Sequence, residues 1–192
     1  MGKVNNTSIL SGILVGIGVI INVLSPNKYI GSMLFSLALL TIIDLQLQLF
    51  TGQIGFAIDK KFTFVEYIFM LFGNLIGISV VVVSLFPFIG TNASYEQMIK
   101  IATNKFSHTH IQLLICGIMC GILMMIAVYC KNMIITIFCI MTFILSGYEH
   151  CIASFPFLVF APSIVNLTKF LTIVVGNSIG SIITNMFIKG GK

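Results

Sequence analysis

Arginine and tryptophan are absent from this chain of 192 residues, and only five of its residues are acidic: Asp44, Asp59, Glu66, Glu96 and Glu149. Charged residues make up 8% of the sequence, against roughly a quarter in soluble domains. The net charge of +5 therefore comes from ten lysines alone. Without an arginine fork or a dense basic patch, nothing in the chain could grip a nucleic acid. Cysteines are few and unpaired in spacing. Cys116, Cys120, Cys130, Cys139 and Cys151 all lie in or beside apolar runs, which argues for free buried thiols and against a disulfide framework. Cys116 and Cys120 share a helical face, and His108 and His110 stand together, but neither pair has the further ligands a metal needs. Both histidines are expected in a solvated loop, and no metal or cofactor is expected anywhere.

What the chain does have is apolar length. Hydrophobic residues make up 58% of it, and the mean hydropathy is +1.11. Several runs reach the roughly 20 residues that cross a bilayer as a helix. The expected fold is all-α and integral to the membrane, a single transmembrane domain over residues 1–192. Lys3 and the apolar run after it resemble a signal peptide, but SPNKY follows instead of a small-residue cleavage site, so a retained first span is expected.

Six apolar segments can be drawn, at about 8–24, 30–58, 64–89, 111–130, 132–162 and 170–188. With both termini on the cytoplasmic side, the inner connections carry Lys3, Lys60, Lys61, Lys131, Lys189 and Lys192. The outer ones carry Lys28, Lys100, Lys105 and Lys169, and this bias favours that orientation. The longest connection, 91–110, then forms an outer loop.

The second and fifth segments are too long for one straight span, and each is interrupted, at DLQLQLFTGQIGF (44–56) and SGYEHC (146–151). The third and sixth share GNLIG (73–77) and GNSIG (176–180), and the first and fourth share SGILVGIGVI (11–20) and CGILMMIAVY (120–129). These matches recur in one order, at offsets of 109, 99 and 103 residues. They imply two three-helix repeats, at about 8–89 and 111–188. An odd number of spans per repeat turns the second upside down relative to the first. Inverted repeats with paired broken helices put a transport site near the midplane, where the breaks meet.

Chemistry concentrates at those breaks. One offers Thr51, flanked by Leu49 and Phe50. The other offers His150, whose side chain is the type that titrates near neutrality, beside Glu149. A hydroxyl and an imidazole in an apolar duct suit a small monovalent species better than a metal ion or a cation, which would call for rings of carboxylates or carbonyls. Helix N-termini at the breaks direct partial positive charge inward, and loop lysines, notably Lys105, gather anions at a mouth. A bare anion crosses apolar surroundings only at a cost of several kcal/mol. A weak acid avoids it by entering as an anion and passing as the neutral acid, with His150 giving a proton or a strong hydrogen bond. Glu149 is expected to hold the break together, and Asn74 and Asn177 to bond across to the breaks.

LFTG (49–52), GYEHCIAS (147–154), NLIG (74–77) and VVGNSIGS (174–181) together resemble the formate/nitrite transporter family over nearly the whole chain. Lys105, twelve residues before Gly117, matches that family's vestibule lysine, and Lys3, nine before Gly12, the lysine of the opposite mouth. The resemblance implies an aquaporin-like protomer in a homopentamer, in a bacterial plasma membrane, carrying small monovalent anions and protons. It implies two apolar constrictions around a central histidine. Here that histidine would be His150, with Thr51 facing it, Leu49 and Phe50 in one constriction, Phe143 in the other and Asn177 in support. The sequence departs from the family pattern at Gln48, usually acidic, at Gly121, usually asparagine, and at Cys151 and Ser154. The stretch before the first span is also short for the amphipathic helix that the family uses there.

Formate leads the expected substrates, with nitrite and hydrosulfide close behind. The alternative is an aquaporin-like channel for neutral solutes, against which the missing Asn-Pro-Ala pair counts. An enzyme is not expected, because a second titratable group facing His150 is missing from the sequence pattern.

Overall fold

The structure, a computed structural model, describes residues 2–191, the side chains of 2–5, 85 and 89 excepted. Its first helices are α1 (Gly2–Leu24), α2 (Lys28–Asp44) and α3 (Phe50–Gln53), which runs on as a tighter turn through Ile54–Asp59. Next come α4 (Phe64–Ser79), extended by a π-helical stretch at Val80–Leu85 and by α5 (Phe86–Ile89), and then α6 (Asn92–Ser107). The rest of the chain is α7 (His110–Cys130), α8 (Met133–Leu145), α9 (Cys151–Phe160) and α10 (Ile164–Gly190). Among the described residues, four helical stretches are long and apolar enough to cross a membrane: Asn6–Leu24, Phe64–Phe88, His110–Cys130 and Ile164–Gly190. The two interrupted segments supply the shorter pairs α2/α3 and α8/α9.

The polar residues between the apolar runs act as caps. Asn27 accepts the Tyr29 and Ile30 amides at the start of α2, and Asn132 accepts the Ile135 amide at the start of α8. Thr63 with Glu66, and Thr109 with Gln112, close reciprocal capping boxes on α4 and α7. Lys131 ends α7 in the left-handed conformation (φ +49°), so one residue turns the chain into the cap of α8.

Both breaks are built by the same turn. The Leu47 amide bonds back to the Ile42 carbonyl, and the Tyr148 amide to the Phe143 carbonyl, each at 2.9 Å. The residue inside each turn has positive φ, Gln46 at +53° and Gly147 at +71°. Helices commonly stop this way, with the left-handed residue satisfying carbonyls that would otherwise be left unpaired.

α1 packs along α4, α7 along α10, and α2 meets α8 between them. The close approach needs glycine at two matched places. A Cβ on Gly12 would stand 2.1 Å from the Asn74 carbonyl oxygen, and one on Gly121 would stand 2.3 Å from that of Asn177. Large apolar side chains such as Leu37, Phe72, Phe138 and Phe187 face outward.

The region 91–110, expected as a loop, is largely helix. Thr91 and Ser94 cap α6, and Met98, Ala102 and Phe106, four residues apart, turn one face inward. The polar residues on the other face hid that spacing in a window of low average hydropathy. His110, expected in a solvated loop, is exposed but opens α7, and its Nδ1 lies 2.8 Å from Thr172 Oγ1. His108 is exposed at the end of α6, as a solvated residue would be.

Candidate functional site

Two buried asparagines hold the two breaks in the same way. Asn74 on α4 accepts the Phe50 amide at 2.8 Å and donates to the carbonyls of Gln48 (2.9 Å) and Ser8 (2.8 Å). Asn177 on α10 accepts the Cys151 amide at 2.8 Å and donates to the carbonyls of Glu149 (2.7 Å) and Gly117 (2.8 Å). Each carboxamide thus satisfies two backbone groups that the broken helix leaves without partners, and ties them to a carbonyl inside a continuous helix, Ser8 of α1 or Gly117 of α7. Gln48 and Glu149 occupy matching positions in this scheme.

The clamps bring Thr51 and His150 together. Both are buried, and Thr51 Oγ1 lies 2.8 Å from His150 Nε2. His150 also caps α9, its Nδ1 accepting the Ala153 amide at 3.2 Å. That bond occupies the Nδ1 lone pair, so the neutral ring carries its proton on Nε2 and donates it to Thr51. On one flank of the imidazole, Phe143 stacks at 5.7 Å between ring centroids, and Phe35 meets Phe143 edge-on at 5.9 Å. Leu49 and Phe50, just before Thr51, are buried in the core.

Glu149 points away from this pair. Its Oε2 accepts from Ser154 Oγ at 2.6 Å and forms an ion pair with Lys105 of α6. The Lys105 ammonium also sits 5.2 Å from the centre of the Phe157 ring. Lys105, expected to gather anions at a mouth, has its ammonium paired with the Glu149 carboxylate at the break. Lys3, the lysine expected at the other mouth, lies with its side chain outside the described residues.

A cavity of about 490 Å³ opens beside the first break. Leu39, one turn along α2 from Phe35, lines it together with Leu49, Phe56 and Val128, and Lys61 and Lys131 bring charge to its wall. Among the described residues no group of histidine, cysteine and carboxylate side chains could hold a metal ion.

A family profile described as Formate/nitrite transporter matches residues 1–190. The chain belongs to the formate/nitrite transporter family. It is a multi-pass membrane protein of a family of transporters. It is 28% identical to a protein of Plasmodium vivax named "Formate-nitrite transporter", over 84% of this chain. The chain spans 60% of that relative's length. Its fold is similar to two solved structures, each at 21% identity. A structure titled "FNT family ion channel" aligns with a TM-score of 0.83 over 100% of this chain and 90% of that one. One titled "Pentameric formate channel with formate bound" aligns at 0.73 over 98% and 94%.

Several members of the site were not singled out in the sequence. Phe35 is an ordinary aromatic in an apolar helix, and only the packing of α2 on α8 sets it against Phe143. Ser154 was noted as a departure from the family pattern, but its bond to Glu149 comes from one turn of α9. Lys61 and Lys131 sit in separate connections and meet only across the cavity.

Proposed function

We propose that this formate/nitrite transporter family chain passes small monovalent weak-acid anions across the membrane, formate first, with nitrite and hydrosulfide next. The observation that carries this reading is the buried His150–Thr51 hydrogen bond, shut between apolar walls. A bare anion at that depth would lose its hydration at a cost of several kcal/mol, whereas the neutral acid would not. The anion enters at a mouth, takes up a proton from the water there and passes the narrow part as the neutral acid.

His150 acts there as a hydrogen-bond donor. With Nδ1 engaged by the Ala153 amide, its Nε2–H can serve an oxygen of the passing acid in place of Thr51 Oγ1, while Thr51 Oγ1 accepts a hydrogen bond from the acid O–H, which keeps its proton. Phe143, with Phe35, forms one constriction, and Leu49 and Phe50 contribute to the other. Asn177 fixes the second break, and Glu149, joined to Lys105, sets the mouth beside it. The matching clamps support two inverted three-helix repeats, at about 8–89 and 111–188, within one domain. The pentameric, formate-bound relative supports a homopentamer, and the outward apolar surface supplies faces for lipid and for neighbouring copies. Both termini lie on the cytoplasmic side of a bacterial plasma membrane.

Proteoliposomes test this. Formate, nitrite, hydrosulfide, lactate and chloride are supplied under an imposed pH gradient. The expected result is flux of the weak acids, rising on the acidic side, with chloride excluded. His150→Asn should lower weak-acid flux by about tenfold or more, the equivalent of one hydrogen bond of about 1.4 kcal/mol. Wild-type protein that moves no weak acid would overturn the transport reading. A variant that matches wild type from about pH 5 to 8 would remove His150 from the path.

A further inference from the structure

Thr51 faces His150 from a helix of only four residues, Phe50–Gln53, too short to hold itself in place. Its support comes from α10. The stretch from Thr51 to Asp59 runs alongside that helix in one register: Thr51, Gly55 and Asp59 meet Ser181, Asn185 and Lys189, each pair 130 residues apart in the chain. Ser181 shares its hydroxyl proton between the Thr51 carbonyl, at 3.3 Å, and the Gly121 carbonyl, at 3.0 Å. Asn185 donates to the Gly55 carbonyl at 2.9 Å and to Asp59 Oδ2 at 3.1 Å, so both N–H groups of its carboxamide are spent on the segment. Lys189 closes the row with an ion pair to Asp59 Oδ1 at 2.6 Å. Ser181 and Asn185 are fully buried, whereas the ion pair is partly open to solvent. Gly55 allows the close approach, since a Cβ there would stand 2.9 Å from the Ser181 carbonyl oxygen.

The half-helix after the second break is held differently. Counted from the clamping asparagines, Ser181, Asn185 and Lys189 correspond to Ile78, Val82 and Phe86 along the stretch Phe64–Phe88. All three are buried and apolar. Counted from Gln48 and Glu149, Asp59 corresponds to Phe160, the last residue of α9. Phe86 meets Phe160 edge-on at 6.1 Å, so an aromatic pair stands at the end of α9 where an ion pair stands at the end of the first half-helix. Apolar contact has no direction, whereas hydrogen bonds weaken steeply away from their geometry. The polar row therefore fixes a position, and the apolar row fixes only proximity.

The row also keeps its charge. The hydrogen bond from Lys189, and then that from Asn185, hold the Asp59 carboxyl below the usual carboxylate range. A carboxyl lowered in this way keeps its partners at every pH above that range and gives them up only in stronger acid. The anchor is thus in place throughout the neutral range.

We propose that Asp59, Lys189, Asn185 and Ser181 are positioning residues, which hold Thr51 Oγ1 against His150 from the far side of the half-helix. Their effect on flux rests on the weak-acid reading above; their effect on the placement of Thr51 does not.

Formate flux in proteoliposomes, with hydrogen–deuterium exchange on the same purified protein, tests the proposal. Asp59→Asn keeps the size of the side chain and removes its charge. It should speed exchange across residues 50–58 and leave that of 151–160 unchanged. Formate flux should fall about two- to fivefold, the worth of one partly exposed ion pair. In a Thr51→Ala background the same change should lower flux no further, because a positioning residue then has nothing left to position. Reversing the pair, Asp59→Lys with Lys189→Asp, should restore flux where Thr51 is kept. The cycle and the reversed pair decide independently, so either suffices if the other variant fails to conduct or to assemble. If Asp59→Asn leaves exchange or flux as in wild type, or costs the same in both backgrounds, the proposal fails. Wild-type protein that moved no formate would overturn the transport reading, and exchange across residues 50–58 would then decide the positioning.

Discussion

Asn177→Ala is the change whose cost can be worked out most directly. Asn177 is fully buried, and its carboxamide makes three hydrogen bonds at 2.7–2.8 Å to the Cys151 amide and to the Glu149 and Gly117 carbonyls. Alanine leaves the Cys151 amide and the Glu149 carbonyl without this partner where no water reaches, while the Gly117 carbonyl, in the interior of α7, keeps its bond within the helix. At about 1–2 kcal/mol for each of the two stranded groups, the loss is about 2–4 kcal/mol. Hydrogen bonds measured inside membranes average about 0.6 kcal/mol, which sets a floor of about 2 kcal/mol. Glu149 and His150 flank the freed break, so the damage should reach the path as well as the fold. Asn177→Asp should be at least as harmful, because it keeps an acceptor for the Cys151 amide but turns a carboxylate oxygen on two carbonyls. Thermal melting of the purified oligomer, with formate flux in proteoliposomes, measures both effects. Asn74→Ala, with three matching bonds, should behave alike. If Asn177→Ala melts within about 0.5 kcal/mol of wild type and conducts normally, the clamp does not hold the break.

Other changes separate electrostatics from packing. Glu149→Gln should destabilise the protein by about 2–3 kcal/mol, since it leaves the mostly buried Lys105 ammonium without its counter-charge. Adding Lys105→Gln should recover part of that loss, and a strictly additive double variant would refute the coupling. Gly121→Ala should destabilise by about 1–3 kcal/mol through contact of its Cβ with the Asn177 carbonyl. Gly190→Ala, which meets nothing within 4 Å, should not, and equal melting of the two would argue against the close approach of α7 and α10.

Much of the fold was legible in the sequence because the bilayer limits what a chain can do. Apolar runs of spanning length, separated by SPNK, DKK and a single lysine, left few arrangements, and those separators carry the caps of the observed helices, whereas NLTK, expected as a further connection, lies inside α10. The repeated GNLIG and GNSIG motifs marked both clamps, since a buried asparagine beside glycines has few other uses there. α6 escaped notice because its inward face holds only Met98, Ala102 and Phe106 among polar neighbours. The balanced state of Lys105 escaped notice because Glu149 lies 44 residues away in the chain.

The sequence by itself determined that the chain must live in a membrane, where its helices must break, and that a hydroxyl and an imidazole fall at the breaks. Hydropathy and local backbone chemistry act over a few residues, and those can be read in order along the chain. Only the tertiary structure decided that Thr51 and His150 share one hydrogen bond, that Phe35 joins Phe143 over the imidazole, and which lysines face a carboxylate and which face an open cavity. Those outcomes depend on distances of a few ångströms between segments about 40 to 110 residues apart, which packing alone sets.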